Sequence, residues 1–211
     1  MAKREIPGST DDKETGNKIL DEATRLFALH GFGAVSMRDI AKATGIQMST
    51  IYYYYENKEA LLEAALSRFE DGYKHYFKWL KEENEKASSL EELMDNLFNK
   101  ELLEIVDPIG RLGISLTMKE QHSSVSARNR VFELLLQYSI ASMQADFDRL
   151  IEKGIIPPVD TKTVATIIMF YVMVINDLSL HEYEGQELPI DSKEIYGDLK
   201  KFIISALKQG S

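Results

Sequence analysis

Apolar residues recur every three or four positions along most of this 211-residue chain. Near its start, Ile19, Ala23, Leu26 and Phe27 fall on one face of a helix, and Gly31 follows where that helix should end. No segment alternates apolar and polar residues with the period of a β-strand. The pattern therefore predicts an all-α protein.

The later helices follow from the same spacing and from capping residues at their starts. A long helix is predicted from Asn57, its cap, to about Lys86, and the next helix begins at Ser88 or Ser89 and runs through Leu102. A segment that begins at Asp107-Pro108 is expected to be interrupted by Gly110 and Gly113, and residues 184–191 are expected to form a loop. The remaining helices are expected from about Ser124 to Lys153, from Asp160 or Thr161 to about Glu182, and from Ser192 to Gly210.

Residues 36–55 read as two short helices joined by a tight turn. Ser36 is placed to cap the first helix, and Asp39 lies at the third helical position, where a carboxylate can reach back to the cap. Ala41 is small enough for a second helix to cross closely, and Gly45 permits a turn with positive φ. The apolar residues expected between the helices are Ile40, Ile46 and Ile51. This arrangement predicts a helix-turn-helix, whose second helix enters the DNA major groove; a simple αα-corner is the alternative.

Residues 15–66 resemble the DNA-binding domain of the TetR family of bacterial repressors. The residues that carry the resemblance are Ile19, Leu20, Ala23, Leu26, Phe27, Gly31, Phe32, the run from Val35 to Ala41, Gly45, Ile46, the run from Thr50 to Tyr55, Lys58, Glu59, Leu61 and Leu62. The resemblance implies a homodimer on double-stranded operator DNA. It also implies a larger C-terminal domain that holds a small molecule and dimerises through its last two long helices.

Three regions are expected from these patterns. Residues 1–14 lack a helical apolar period and are predicted to be a flexible arm. Residues 15–62 form the three-helix helix-turn-helix DNA-binding domain, and residues 63–211 form a larger helical domain for ligand binding and dimerisation. The fold class is therefore all-α with two functional domains.

The net charge of −9 does not by itself favour DNA binding. Residues 1–62 hold 8 Lys and Arg against 9 Asp and Glu, and the remainder holds 17 against 25. The basic groups that meet DNA must therefore be placed locally rather than be abundant. The longest apolar run, 167–175, is far shorter than the roughly 20 residues that span a membrane, so we expect a cytoplasmic protein without a membrane partner.

The predicted DNA contacts lie in the helix-turn-helix and just after it. They are Ser36, Arg38, Gln47, Met48, Ser49, Thr50, Tyr53, Tyr54 and Lys58. Gln47 is expected to pair with adenine and the Thr50 methyl group to touch thymine. Tyr53, Tyr54 and Lys58 are expected to hold phosphates, as the family resemblance also implies, while Tyr52 and Tyr55 pack in the module core.

Three positions depart from the family pattern. Gln47 stands where Ser or Thr commonly caps the recognition helix, and Met48 stands where a basic or small residue is usual. Glu56 stands where Lys is frequent, and its carboxylate opposes phosphate. These departures leave the operator sequence open and point to modest affinity.

The dimer interface is predicted on the helix from Thr161 and on the last helix. The first of these is apolar nearly all round, so it must be buried on two sides. One side is expected to face its own domain and the other a symmetry mate, giving a four-helix interface. The predicted interface residues are Val164, Ile168, Tyr171, Ile175, Leu199, Phe202, Ile203 and Ala206. A core helix in a monomer is the alternative.

The larger domain is expected, again from the resemblance, to hold an effector pocket. Its candidate lining residues are Trp79, Phe98, Met118, His122, Tyr138, Met143, Met173 and Asn176. A lining rich in Met and aromatic residues suits a hydrophobic or aromatic compound, although the same stripe also suits a plain core. The chain has no cysteine, and its four histidines are scattered, so neither a metal site nor a cofactor is expected.

These observations favour a ligand-responsive transcriptional repressor that binds a palindromic operator as a homodimer. A regulator of the same fold that is controlled by a protein partner is the second reading. A helical enzyme is the third, but we see no nucleophile–base motif, phosphate loop or paired carboxylates that would support it.

Overall fold

The computed structural model describes residues 10–98, 108–183 and 192–209. Within them the chain forms α-helices joined by short turns, without a β-strand. The helices are α1 (Thr10–His30), α2 (Met37–Thr44), α3 (Met48–Tyr54), α4 (Lys58–Lys86), α5 (Leu90–Leu97), α6 (Pro108–Glu120), α7 (Val125–Arg130), α8 (Ser139–Glu152), α9 (Thr161–Tyr183) and α10 (Ser192–Gln209). A 3₁₀ turn (Phe32–Ala34) follows α1, and a π-helical segment (Val131–Tyr138) joins α7 to α8.

The predicted caps are confirmed at most helix starts. The Asp39 amide donates to the Ser36 hydroxyl oxygen at 3.2 Å, and the Ser36 amide donates to the Asp39 carboxylate at 2.8 Å. The Ser36 hydroxyl, which also donates to the Asp39 carboxylate, and after it the Ser36 amide hold the pKa of the Asp39 carboxyl below its ordinary value. Asn57 caps α4 and Ser89 caps α5 by the same side-chain chemistry.

Glycines with a positive φ turn the chain at helix ends, as Gly45 and Gly154 illustrate. Gly45 ends α2 with φ 69°, as the sequence predicts for the helix-turn-helix. Gly154 has φ 68° and follows the last helical turn of α8. There the Ile155 amide donates to the Leu150 carbonyl at 2.9 Å, the bond of a Schellman motif.

The first helix begins earlier than the sequence predicts. Residues 10–14 belong to α1, although they were expected to be part of a flexible arm; residues 1–9 lie outside the described part of the chain. The side chain of Asp12 accepts a hydrogen bond from the Tyr54 hydroxyl at 3.1 Å. This contact with α3 extends α1 beyond its apolar stripe, which is why the local pattern did not show it.

Gly113 does not interrupt its segment, contrary to expectation. It lies inside the continuous helix α6, where a Cβ atom would come within 2.8 Å of the Phe69 side chain. Glycine at this position therefore allows α6 to pack directly on α4. The sequence predicts an interruption because glycine has a low intrinsic helix propensity, and this propensity takes no account of tertiary packing.

The predicted helix from Ser124 to Lys153 is present as a rod, but its middle is π-helical. The Ser139 hydroxyl donates to the Leu134 carbonyl, five residues earlier, at 3.0 Å. Because that proton is committed, the Tyr73 hydroxyl of α4 is the donor in its 2.7 Å bond to the Ser139 oxygen. Burial raises the pKa of Tyr73, so the hydroxyl stays protonated and keeps donating.

Two hydrophobic cores organise the chain, and they do not divide at residue 62. The first core joins α1, α2 and α3 to the start of α4, but it also takes Leu112 and Leu116 from α6 and Ala127 from α7. The second core lies among the middle of α4, α5, the π-helical segment, α8, α9 and α10. The core of the helix-turn-helix therefore includes residues from helices that come after residue 62 in the chain.

None of the described helices has the length and apolarity needed to cross a membrane.

A buried polar pair lies where α4 meets α8. The Asn84 side-chain amide donates to the Asp146 carboxylate at 2.6 Å, and Arg149 donates to the other carboxylate oxygen at 3.3 Å. Asn84 Oδ1 is buried and has no hydrogen-bond partner among the described residues. Burial is the largest cause of a raised pKa at Asp146.

Asp146→Asn should stabilise the folded chain near neutral pH. The new amide keeps an acceptor for Asn84 and supplies a donor for the unpaired Oδ1, a gain of about 1 kcal/mol in the free energy of unfolding. This gain should exceed the loss of the ion pair with Arg149, which is weak because its N–O distance is 3.3 Å and the guanidinium is partly exposed. Because the raised pKa means that the folded state holds the proton more tightly, the wild type should lose stability as pH rises from the ordinary Asp value through the raised one. The variant should lack that loss.

Chemical denaturation between pH 4 and pH 8 measures both effects. Glu152→Gln, which neutralises an exposed carboxylate on the same helix, is the control and should change little. A variant that is less stable at pH 7 and keeps the pH dependence would contradict the prediction.

Candidate nucleic-acid interface

The inner faces of α2 and α3 are held by a few fully buried residues. Ile40 of α2 and Ile51 of α3 are completely buried, and Ile46 packs between the helices from the turn. The Thr44 hydroxyl donates to the Ile40 carbonyl at 2.8 Å and accepts from the Ile46 amide at 3.2 Å, which fixes the turn. The arrangement of α2, the turn and α3 therefore confirms the predicted helix-turn-helix.

The outer face of α3 presents Ser49, Tyr52 and Tyr53 to solvent. Tyr52 is 48% exposed and Tyr53 is 64% exposed. The expectation that Tyr52 packs in the module core is wrong. Its position three residues after Ser49, on the same helical face, is the sequence signal that would have placed it outward.

The N-terminal end of α3 is open at Gln47. Gln47 occupies the cap position, but its side chain makes no capping hydrogen bond, so the exposed amide is available to a ligand. Ser49 is exposed, and Thr50 is half-buried at the edge of the same face. Met48 is half-buried against the module core, which turns part of its surface away from the outer face.

Tyr54 and Tyr55 tie the end of α3 to α1. The Tyr55 hydroxyl donates to the Gly16 carbonyl at 3.1 Å, as expected for a core residue. The Tyr54 ring lies against Gly16, where an added Cβ would come within 3.2 Å of it. Because the Tyr54 hydroxyl already donates to Asp12, it would have to leave that carboxylate before it could donate to a phosphate.

Ser36 and Arg38 lie at the start of α2 and are both exposed. The Ser36 hydroxyl donates to the Asp39 carboxylate at 2.6 Å, so its role in this structure is that of a helix cap. Arg38 projects from the first turn of α2, on the same module as the outer face of α3.

Lys58 is engaged within the module rather than directed to solvent. Its ammonium donates to the carbonyls of Phe32 and Val35, both at 2.8 Å, and lies 4.2 Å from the centroid of the Phe32 ring. At most one of its three N–H donors is left for a phosphate. The predicted phosphate contact therefore competes with an internal role that local sequence does not reveal.

Two residues of α6 also hold the turn between α1 and α2. The Glu120 carboxylate accepts from the Phe32 amide at 2.9 Å, and the Lys119 ammonium donates to the carbonyls of Ala28 and Leu29. Sequence reasoning missed both residues. They lie about 90 positions from their partners, and no local spacing signals such contacts.

The candidate effector residues separate into two groups. Trp79, Phe98 and Tyr138 belong to aromatic contacts at the side of the larger core: Trp79 stacks on Tyr76, and Tyr138 meets Phe77 at 5.6 Å. Met143 and Met173 are buried in that core, and Met118 packs against it.

His122 does not belong to this group. It is exposed in the turn between α6 and α7, so the expectation that it lines the pocket is wrong. The side chain of Asn176 lies outside the described residues. Among the residues that the structure describes, no three His, Asp or Glu side chains gather where they could hold a metal ion.

The structure exposes a different face of α9 from the one that the sequence assigned to the dimer interface. Ile168, Ile175, Leu199 and Ile203 are buried in the chain's own core, so they cannot meet a second copy, and Val164 and Tyr171 pack partly against the same core. The other stripe of α9, formed by Ile167, Phe170 and Val174, is more than half exposed, and Phe202 of α10 is 67% exposed. Of the predicted interface residues, Phe202 and Ala206 remain on the surface.

Comparison with known proteins identifies the helix-turn-helix. Residues 19–65 match the family model described as bacterial regulatory proteins, tetR family. The HTH-type transcriptional repressor ComR of Escherichia coli is 40% identical over 73 residues, which are 34% of this chain and 35% of that protein. The chain thus spans about two fifths of the length of several curated relatives.

The likeness extends beyond the module in other comparisons. YhgD of Bacillus subtilis, an uncharacterized HTH-type transcriptional regulator, is 23% identical over 90% of this chain and 94% of its own. The crystal structure of the transcriptional regulator FadR from Bacillus subtilis in complex with stearoyl-CoA has a TM-score of 0.64 at 19% identity, covering 90% of this chain and 97% of that one. Residues 19–65 therefore form a helix-turn-helix of the tetR family of bacterial regulatory proteins, and the chain as a whole shares the fold of this solved regulator.

Proposed function

We propose that this protein is a cytoplasmic repressor that binds a palindromic operator as a homodimer and is released by a hydrophobic or aromatic small molecule. The proposal rests on one observation: the chain exposes two surfaces whose chemistry suits binding to a partner. One is the polar outer face of α3, and the other is the apolar stripe of α9 with Phe202 of α10.

The outer face of α3 has the chemistry of a base-reading helix. Gln47 offers a paired donor and acceptor for adenine, and Thr50 offers a methyl group for thymine. The exposed hydroxyls of Tyr52 and Tyr53 suit phosphate contacts, which position the helix without reading sequence. Arg38 adds a positive charge to the same module.

The apolar stripe supports a homodimer. Ile167, Phe170 and Val174 recur at helical spacing and are exposed in the single chain. Large contiguous apolar patches of this kind usually mark interaction sites. Since α9 and α10 pack on each other, two copies of this helix pair would form a four-helix interface with two-fold symmetry.

The effector class follows from the aromatic side of the larger core. Phe77, Tyr138, Trp79 and Phe98 supply flat apolar surfaces, and Met143 and Met173 supply adaptable ones. The likeness of fold to FadR, which was crystallised with stearoyl-CoA, is consistent with a hydrophobic effector.

Selection of bound sequences from random DNA tests the operator. We expect an inverted repeat whose half-site centres lie roughly 34 Å apart, because a two-fold dimer presents two recognition helices to successive major grooves. Titration of fatty acids, acyl-CoA esters and planar aromatic compounds into free and operator-bound protein then tests the effector. The inducer should bind free protein about 5–150-fold more tightly.

Equal affinity in both states would rule a compound out as inducer, however tightly it binds. If every compound fails while operator binding is specific, control by a protein partner becomes the better reading.

Phe202→Glu should convert the dimer into monomers. A carboxylate introduced into an apolar interface would be buried without a partner, which strongly disfavours association. Sedimentation should show the monomer, and operator binding should fall with it. Phe132→Glu is a matched control because Phe132 is 63% exposed but lies on the π-helical segment. A dimeric Phe202→Glu protein would remove α10 from the interface.

Lys58→Met should destabilise the DNA-binding module. The methionine keeps most of the alkyl length, but the two carbonyls lose a charged donor, which should lower the free energy of unfolding by about 1–3 kcal/mol. The salt dependence of binding to random DNA should change by less than one unit of slope for the dimer. Lys42→Met, which removes an exposed cation from α2, should leave stability unchanged.

One outcome would contradict this prediction. Unchanged stability, together with a slope reduced by about 2, would show that both Lys58 side chains bind phosphate instead of the internal carbonyls.

A further inference from the structure

The peptide groups of the turn between α1 and α2 are held from two directions. The Phe32 amide donates to Glu120 at the end of α6, and the Phe32 carbonyl accepts from Lys58 at the start of α4. The Phe32 ring itself packs edge-on against Phe27, at 5.3 Å between centroids. One residue of the DNA-binding module is therefore fixed by both helices that reach it from the larger domain.

Glu120 is built into this junction rather than lying on the surface. It is 6% exposed, and its second carboxylate oxygen accepts from the Ser123 hydroxyl at 2.5 Å. Next to it, Lys119 caps the last carbonyls of α1 at 2.7 and 3.1 Å. The end of α6 thus grips the end of α1 and the turn that follows it.

The same helix is packed into both cores. Leu116 of α6 lies in the core of the DNA-binding module, while Ile114 and Met118 pack against the core of the larger domain. Gly113 brings α6 into close contact with Phe69 of α4. Because closely packed helices move as units, a change in the angle of α6 must move the Glu120 carboxylate and the turn bound to it.

We propose that Glu120 is a positioning residue: it sets the angle of α1–α3 on the larger domain, and with it the distance between the two recognition helices of a dimer. This inference rests on the proposed function, since it requires a dimer on an inverted repeat. In this proposal, one buried carboxylate determines how far the spacing of the half-sites can change before the dimer loses affinity for the operator.

Operators with altered spacing test the assignment. The selected operator is lengthened or shortened by one and two base pairs between its half-sites, and a duplex with a single half-site is included. The wild type should bind best at one spacing. Glu120→Ala should lose affinity at that spacing by roughly tenfold, within the range for residues that couple two sites, and should discriminate less among spacings. Its affinity for the single half-site should be unchanged.

This pattern separates positioning from simple loss of structure, which would weaken every duplex alike. Glu120→Gln should restore the spacing preference, because its amide keeps an acceptor for the Phe32 N–H and a donor toward Ser123. Glu92→Ala is a matched control: Glu92 also accepts a backbone amide, that of Ser88 at 2.7 Å, but at the start of α5. If Glu120→Ala does not fold, Glu120→Asp, which keeps the charge but shortens the reach, carries the test.

A Glu120→Ala or Glu120→Asp protein that folds and keeps the full wild-type spacing preference would overturn the inference. A wild type that is indifferent to spacing would overturn the proposed function itself, and the inference with it. The two failures are therefore distinguished by the wild-type curve.

Discussion

The helix α4 is the constraint on which the rest of the structure depends, because it is buried in both hydrophobic cores. Leu61, Leu62 and Leu66 lie in the core of the DNA-binding module, and Phe69 lies in the core of the larger domain. At 29 residues the helix is about 44 Å long. Since α4 runs without a break from one core to the other, any change in the larger domain that tilts α4 also moves the module.

Polar contacts fix the angle at which helices of the two parts of the chain pack against each other. Arg130, at the end of α7, donates to Glu70 and Glu63 of α4 at 2.9 Å and to the Ser67 hydroxyl at 3.1 Å. Its guanidinium is largely buried, so these directional bonds fix α7 on one face of α4. Apolar packing alone, which is not directional, would tolerate sliding of these helices past one another.

The exposed apolar stripe of α9 is a consequence of the apolar character of this helix on two sides. A helix that is apolar nearly all round must bury two faces, but one chain can cover only one of them. The face of Ile168 and Ile175 is used inside the chain, which leaves the face of Phe170 and Val174 uncovered. Sequence periodicity identified the two-sided helix, but it could not say which side turns inward, because both stripes have equal apolar character.

The sequence by itself determined the all-α fold, most helix bounds and the helix-turn-helix, because helical periodicity, caps such as Ser36 and Asn57, and the turn at Gly45 act between residues close in the chain. Only the tertiary structure decided that Lys58 is held by the carbonyls of Phe32 and Val35 and that Gly113 continues a helix against Phe69. Glu120 is the clearest case: its partner is 88 residues away. Such contacts depend on how helices cross, and the crossing is set by the packing of whole faces rather than by any local pattern.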